Sequence, residues 1–167
     1  MKILSGNCRD ISRPTAVRGF RALIRSNNPD ILFLSETKSP LSLTSSIFNR
    51  LGLYSMTHVA PIGSCGVLVL TWRLGVELKS FLTKKNNITT WCFSDLPNHP
   101  WILSCLSGPL EKLNKPAFWD SFIAVGENFV NPWLYIEDFN FILDQSKKLG
   151  GRPVAGSSHC PFRGFID

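Results

Sequence analysis

The fold is indicated first by one stretch of the sequence, PDILFLSETK at residues 29–38. Its centre, 31–34, is a continuous apolar run of strand length, which is typical of a β-strand buried on both faces. The run ends in Ser35, Glu36 and Thr37, so it predicts a carboxylate at the carboxyl end of a strand. Strand ends in α/β folds often carry functional groups, because a rigid sheet holds the loops there.

The segments around this strand predict strand, helix, strand, helix, a block of strands, then helix and strand. Ser12 and Pro14 are typical of an N-cap and a first-turn proline. Mixed strands and helices favour a two-layer or sandwich α/β arrangement over an all-β barrel. The predicted strands are 3–7, 31–34, 54–60, 67–72, 76–81, 88–93, 101–106 and 133–136, and the predicted helices are 14–27, 41–51 and 116–129.

The chain has 167 residues, of which 44% are apolar and 18% charged. This composition predicts one domain spanning 1–167 and excludes a disordered tail. No apolar run approaches the ~18–20 residues of a membrane span, and the first residues turn polar too soon for a secretory signal peptide. The five cysteines are odd in number and include no C-x-x-C pair, which indicates reduced thiols. We therefore expect an intracellular protein, nuclear or cytoplasmic and not secreted, with no membrane and no obligate protein partner.

The positive charge is concentrated near the start of the chain. The net charge is +6, and residues 1–28 hold six basic side chains against Asp10 alone. Arg18, Arg21 and Arg25 recur at i, i+3 and i+7, which places them in one stripe of the predicted helix. Such a stripe fits a polyanion such as nucleic acid, and it equally fits the solvated face of an ordinary amphipathic helix. The sequence leaves both interpretations open.

Polar side chains suited to metal or phosphate chemistry end three of the apolar strands. They are Asn7, Glu36, and Asp138 with Asn140. Carboxylate and amide oxygens are hard ligands, which suit Mg²⁺. A single Asp or Asn after a strand is more often a turn-former or a helix cap. The repetition of the pattern at three strands favours a functional site.

The same segments resemble a known family. The matching stretches, in collinear order, are MKILSGNCR at 1–9, PDILFLSETK at 29–38, GVLVLTW at 66–72, PWLYIEDFN at 132–140, GGRP at 150–153 and FRGFID at 162–167. The chain resembles the endonuclease/exonuclease/phosphatase superfamily, and more closely the endonuclease domain of plant LINE-type (non-LTR) retrotransposons. The resemblance implies a deoxyribonuclease I-like four-layered α/β sandwich, incomplete at the C-terminus.

The resemblance also implies an activity and a set of site residues. Asn7 and Glu36 correspond to residues that bind the catalytic Mg²⁺, for which Mn²⁺ can substitute. Asp138 and Asn140 correspond to residues that orient the attacking water and hold the phosphate, and Arg9 is a further candidate contact to the substrate. The implied reaction is hydrolysis of a phosphodiester bond, and the implied partner is DNA.

The sequence departs from the family pattern in four places. Gly6 replaces a Trp beside the first motif, and Glu137 replaces the Gly before Asp138. Ser107 occupies the position of a Tyr that contacts the scissile phosphate. The chain ends at Asp167, before the Asp-His motif that supplies the general base in the family. Three alternatives therefore stay open: a DNA-nicking endonuclease, a catalytically inactive degenerate fragment, and a basic nucleic-acid-binding module.

Overall fold

The computed structural model describes residues 1–8, 11, 13–37, 39–60, 67–94, 98–107, 120, 123–126 and 129–138, with the backbone alone at 137–138. The chain forms two compact units, Met1–Ser107 with Asn131–Asp138, and Gly108–Val130 with Phe139–Asp167. In the second unit, described residues 120 and 123–126 are helical, within the predicted helix 116–129. The predicted domain boundary of 1–167 stays a prediction. The expectation that the fold is incomplete at its C-terminus concerns residues 139–167, which lie outside the described ranges.

The first unit contains the strands and helices in the order that the sequence predicts. They are β1 (Ile3–Asn7), α1 (Pro14–Asn27), β2 (Ile31–Thr37), α2 (Leu41–Asn49), β3 (Leu53–Val59), β4 (Val67–Arg73), β5 (Leu78–Lys84), β6 (Asn87–Cys92), β7 (Trp101–Ser107) and β8 (Trp133–Asp138). The first sheet has the strand order β1-β2-β4-β3, and the second has the order β5-β6-β7-β8. The pairs β1–β2 and β7–β8 are parallel, and the others are antiparallel.

Helix α1 begins at Pro14, as predicted, but its N-cap is Arg13, so the prediction that Ser12 caps it is wrong. A residue before proline is forced out of the helical region by contact with the proline ring, and Arg13 is accordingly extended, with ψ 130°. The helix ends at Asn28 in the left-handed conformation, where the Asn28 N–H donates to the Ile24 carbonyl at 2.7 Å. The N-cap residue Arg13 makes no side-chain capping hydrogen bond, and the C-terminal cap is made by a backbone N–H.

Each face of the first sheet has its own core. On the outer face, Leu32 and Leu34 of β2 pack with Ile24 of α1 and with Phe48 of α2. The inner face packs against the second sheet through a shared cluster. Its members are Ile31, Phe33, Val59, Leu68, Leu70, Ile88, Leu103 and Cys105. Strand β2 is thus buried on both faces, and two stacked sheets with helices confirm the predicted α/β sandwich.

No helix in the described part of the chain has the length and apolar character that crossing a membrane requires. The longer of the two helices in the first unit, α1, has 14 residues and presents arginines to solvent along one side.

Candidate functional site

The carboxyl ends of β1, β2, β7 and β8 lie at one end of the sandwich. Strand β4 ends beside the start of β2, where the Arg73 N–H donates to the Asp30 carbonyl at 3.0 Å. Residues 74–77 then cross to the start of β5 in the second sheet. Five chain steps span ~17 Å at most, and stacked sheets are already ~10 Å apart, so this link cannot also run the length of a strand.

The starts of all four strands therefore share the end that carries residues 74–77, and their carboxyl ends share the opposite end. We call this opposite end the carboxyl rim and define it by Asn7, Glu36, Ser107 and Asp138. Strands β1 and β8 also approach each other directly, with Cα atoms within 8 Å. The two sheets therefore also meet along these strands.

The first half of the rim is formed by β1 and β2. Asn7 is the last residue of β1 and lies opposite Ser35, whose carbonyl accepts a hydrogen bond from the Cys8 N–H at 2.9 Å. Neighbouring strands are ~4.8 Å apart, so Asn7 lies close to the end of β2 that carries Glu36. The Asn7 side chain is exposed and that of Glu36 is half-buried. A residue with an amide and a residue with a carboxylate therefore lie on neighbouring strand ends.

Glu36 has a left-handed backbone conformation, with φ 58°. The pairing of β2 with β4 shifts register between Leu34 and Thr37, which marks a β-bulge at this residue. Regular alternation would place Glu36 on the face opposite Ser35, and a bulge re-aims the side chain. A left-handed residue with a Cβ costs ~1–2 kcal/mol, and such strain clusters at functional sites. Sequence reasoning missed this bulge, because no glycine or asparagine signals it.

Gly6, where the family pattern has Trp, lies opposite Leu34 in the β1–β2 pair. A Cβ placed on Gly6 would be 3.8 Å from the Leu34 Cδ2 atom, which is an ordinary contact. The backbone therefore does not require glycine at this position.

The second half of the rim is formed by β7 and β8. Ser107 ends β7 and pairs with Asp138, which ends β8. The Ser107 N–H donates to the Asn86 carbonyl at 3.0 Å, which attaches the end of β7 to the β5–β6 turn. Four of the six predicted site positions are therefore brought to one rim, while Arg9 and Asn140 lie outside the described residues. The chemical roles of all six stay predictions.

A row of buried polar groups supports this second half. The Trp133 Nε1–H donates to the Ser104 Oγ at 2.9 Å, and the Thr89 Oγ1–H donates to the Asn87 Oδ1 at 2.8 Å. The Ser104 and Thr89 hydroxyls are 2.8 Å apart. Since the Thr89 proton is already used, Ser104 donates to Thr89. The result is a directional relay, Trp133 to Ser104 to Thr89 to Asn87, that ends near the rim.

Sequence reasoning missed the relay as well. Asn87, Thr89 and Ser104 are all buried, and they lie on the face of the second sheet that points away from the shared core. The sequence offered no signal for burial, because Asn87 and Thr89 on either side of Ile88 predict a polar face turned to solvent. Polar groups are buried stably only when hydrogen-bonded, and here each is.

Two titratable groups of β7 and β8, the buried Cys105 thiol and the half-buried Tyr135 phenol, are uncharged at neutral pH. Burial raises the pKa of Tyr135 to about 12, and burial also raises the pKa of the Cys105 thiol. Cys8, Cys92 and Cys105 are all thiols, in agreement with the prediction for the part of the chain described. The charges of the rim therefore come from carboxylates and from nearby lysines.

The donor set of the rim fits a hard divalent cation. Within the described ranges, no three His, Cys, Asp or Glu side chains are grouped to hold a metal ion. Mg²⁺ does not need such a cage, because it keeps several waters and is held by one or two carboxylates with substrate phosphate. Asn7 and Glu36 supply one amide and one carboxylate, which are donor types of this kind.

No protein-family model and no curated protein matches the chain. Solved structures do match. The endonuclease domain of TRAS1, a telomere-specific non-LTR retrotransposon, has a TM-score of 0.63 over 85% of this chain and 61% of that chain, at 13% identity. An endonuclease/exonuclease/phosphatase family protein from Bacteroides thetaiotaomicron has a TM-score of 0.51 over 84% of this chain and 62% of that chain, at 13% identity.

The chain has the deoxyribonuclease I-like fold. The same fold relates it to the human Nocturnin catalytic domain with bound sulfate, with a TM-score of 0.58 over 75% of this chain and 57% of that chain, at 15% identity. The predicted fold of the endonuclease/exonuclease/phosphatase superfamily is thereby confirmed. This chain spans 57% of the Nocturnin structure and 61% of the TRAS1 structure, and identities this low establish the deoxyribonuclease I-like fold alone.

Proposed function

We propose that the chain binds Mg²⁺, or Mn²⁺ in its place, at Asn7 and Glu36 and hydrolyses phosphodiester bonds of DNA as a nicking endonuclease of the retrotransposon type. The observation that carries the proposal is the carboxyl rim, where the ends of two parallel strand pairs converge. The fold supports it, since one structure with this fold is the endonuclease domain of a non-LTR retrotransposon.

Each rim residue has a role in this proposal. The oxygen atoms of Asn7 and Glu36 hold the cation, which when bound neutralises phosphate charge and stabilises the leaving 3′-oxygen. Asp138 orients the water that attacks phosphorus; as the bond to the 3′-oxygen breaks, the water gives up its proton to solvent and the 3′-oxygen takes one up from solvent. Asn140 and Arg9 hold the phosphate oxygens in place during the attack. These assignments follow the resemblance, and the rim is the structural basis on which we retain them.

Nicking of supercoiled plasmid in the presence of Mg²⁺ tests the proposal. We expect the chain to convert plasmid to relaxed circles, and we expect Glu36→Ala to reduce the rate at least ~10²-fold, because catalysis by a positioned metal is lost. Glu77→Ala is the matched control, since Glu77 is an exposed glutamate of the link at the opposite end of the sandwich. Equal nicking by the Glu36→Ala protein, or none by the parent chain, would overturn the proposal.

A second candidate function is DNA binding without turnover. The observation that favours it is Ser107 at the end of β7, where the family has a phosphate-contacting Tyr. A serine hydroxyl is several ångströms too short to occupy the position of a phenol. Salt-sensitive DNA binding by the parent chain without any Mg²⁺-dependent nicking would support this candidate over the first.

A further inference from the structure

Two lysines lie at the carboxyl rim on an element to which the resemblance gives no role. Lys84 ends β5 and pairs with Asn87, the first residue of β6, so 85–86 form the turn between them. Asn87 in turn pairs with Leu106, the residue before Ser107. The β5–β6 turn is therefore at the same end of the sandwich as Ser107. The side chains of Lys84 and Lys85 are both exposed there.

The turn is fastened to the strands that carry the rim. The Ser107 N–H donates to the Asn86 carbonyl at 3.0 Å, which ties the turn to β7. The buried relay holds the adjacent Asn87 through its Oδ1 atom and reaches Trp133 at the start of β8. Lys84 and Lys85 are thus held at a fixed position relative to Ser107 by a backbone hydrogen bond and a buried polar network.

The two positive charges have no acidic neighbour on their own hairpin. The sequence from Leu82 to Thr90 contains no Asp or Glu, and across the described residues no ion pair is found for either lysine. Of the acids described on this unit outside the rim, Asp30 and Glu77 lie at the opposite end of the sandwich, and Glu137 lies two strands away on β8. Two adjacent cations at a rim that faces solvent attract a polyanion.

The spacing fits a nucleic-acid duplex. Strands β6 and β8 are separated by β7 alone, so the turn and Asp138 are two strand spacings apart, about 10 Å. The grooves of B-form DNA are about 6 Å and 12 Å wide. A duplex with one phosphate at the rim therefore brings a second phosphate within reach of flexible lysine side chains at the turn.

We propose that Lys84 and Lys85 bind the phosphate backbone of duplex DNA beside the rim. The inference rests on the proposed function for its substrate and adds a binding element to it. A different explanation is that these lysines only protect β5, an edge strand among those described, from pairing with other chains. Lys79 is equally exposed on the same strand but lies near its opposite end, so it is the matched control.

The test is the salt dependence of DNA binding, measured by fluorescence anisotropy of a fluorescein-labelled duplex in EDTA. Each phosphate contact contributes ~0.9 to the slope of log K against log salt. We expect the Lys84→Gln/Lys85→Gln protein to lose ~1.8 from this slope, and we expect Lys79→Gln to match the parent chain. Circular dichroism and the thermal midpoint establish that the variants are folded.

The outcomes separate this inference from the proposed function. An unchanged slope in the double variant, or no duplex binding by the parent chain, overturns the inference. A reduced slope in the double variant alone supports it. Because EDTA removes the metal, Glu36→Ala is expected to keep the parent slope, and the nicking assay judges the proposed function separately.

Discussion

The outer face of the first sheet is covered by apolar side chains of α1 and α2, whereas the second sheet buries a row of hydroxyl and amide groups on its outer face. The two halves of the carboxyl rim differ as well. Glu36 on the first sheet is held in a strained bulge, while Ser107 on the second is attached to a turn that a hydrogen-bonded relay supports. In the first sheet the residue at the rim has a strained backbone, and in the second sheet it is supported by satisfied hydrogen bonds.

The largest expected effect concerns the apolar side of this comparison. Phe48 of α2 is fully buried, and its ring centroid lies 6.3 Å from that of Phe20 in α1. Phe48→Ala is expected to lower the free energy of unfolding by ~3–5 kcal/mol, because it removes apolar burial and leaves a cavity. Urea denaturation measures the change. Leu43→Ala on the exposed side of the same helix is the control, expected within ~0.5 kcal/mol.

A smaller effect is expected on the polar side. Ser104→Ala removes the group that accepts from Trp133 and donates to Thr89, so two buried partners lose a hydrogen bond. We expect a loss of ~1–3 kcal/mol in the free energy of unfolding. Ser42→Ala, at an exposed serine of α2, is expected to be neutral. Equal stabilities of the Ser104→Ala protein and the parent chain would show that the relay contributes nothing.

Relief of the backbone strain at Glu36 has a smaller expected effect, and it raises the free energy of unfolding instead of lowering it. Glu36→Ala and Glu36→Gly both remove the carboxylate, but only glycine adopts a left-handed conformation without a steric cost. The Gly protein is therefore expected to be more stable than the Ala protein by ~1 kcal/mol. At Lys79, an extended residue paired with Trp91 before the register shift of β5, the order is expected to reverse by ~0.5–1 kcal/mol. If the Ala protein were more stable than the Gly protein at Glu36 as well as at Lys79, the bulge would carry no strain.

The smallest expected effect appears only at alkaline pH. The pKa of Tyr135 rises from near 10 to about 12 because partial burial desolvates its phenol, whose ring stacks on Trp133 with ring centroids 5.0 Å apart. Between these values the unfolded chain binds fewer protons than the folded one, so stability falls as pH rises. Tyr135→Phe is expected to flatten the fall in stability above pH ~10. Below pH ~10 the dependence of stability on pH is expected to keep the same shape. Parallel stability curves of the two proteins would contradict the assignment.

Local sequence patterns were sufficient for the order of the elements and for the candidate residues at strand ends, while Ser107 and Arg9 became candidates only through the family resemblance. The apolar run 31–34 predicted a strand buried on both faces, and Pro14 predicted the start of α1. The strand ends identified Asn7 and Glu36 as candidate site residues, and the structure places their strands side by side. Each of these features depends on residues within a few positions of one another, because periodicity and turn chemistry act over that range.

Tertiary structure decided how those residues meet. The short link at 74–77 determines that both sheets present their parallel carboxyl ends on the same side, and the pairing of β2 with β4 creates the bulge at Glu36. The relay joins Asn87 to Trp133, 46 positions away in the sequence. Register and sheet stacking depend on contacts between distant segments, and no local pattern encodes them. The sequence therefore determined which groups the protein offers, and the packing of the two sheets decided that they share one rim.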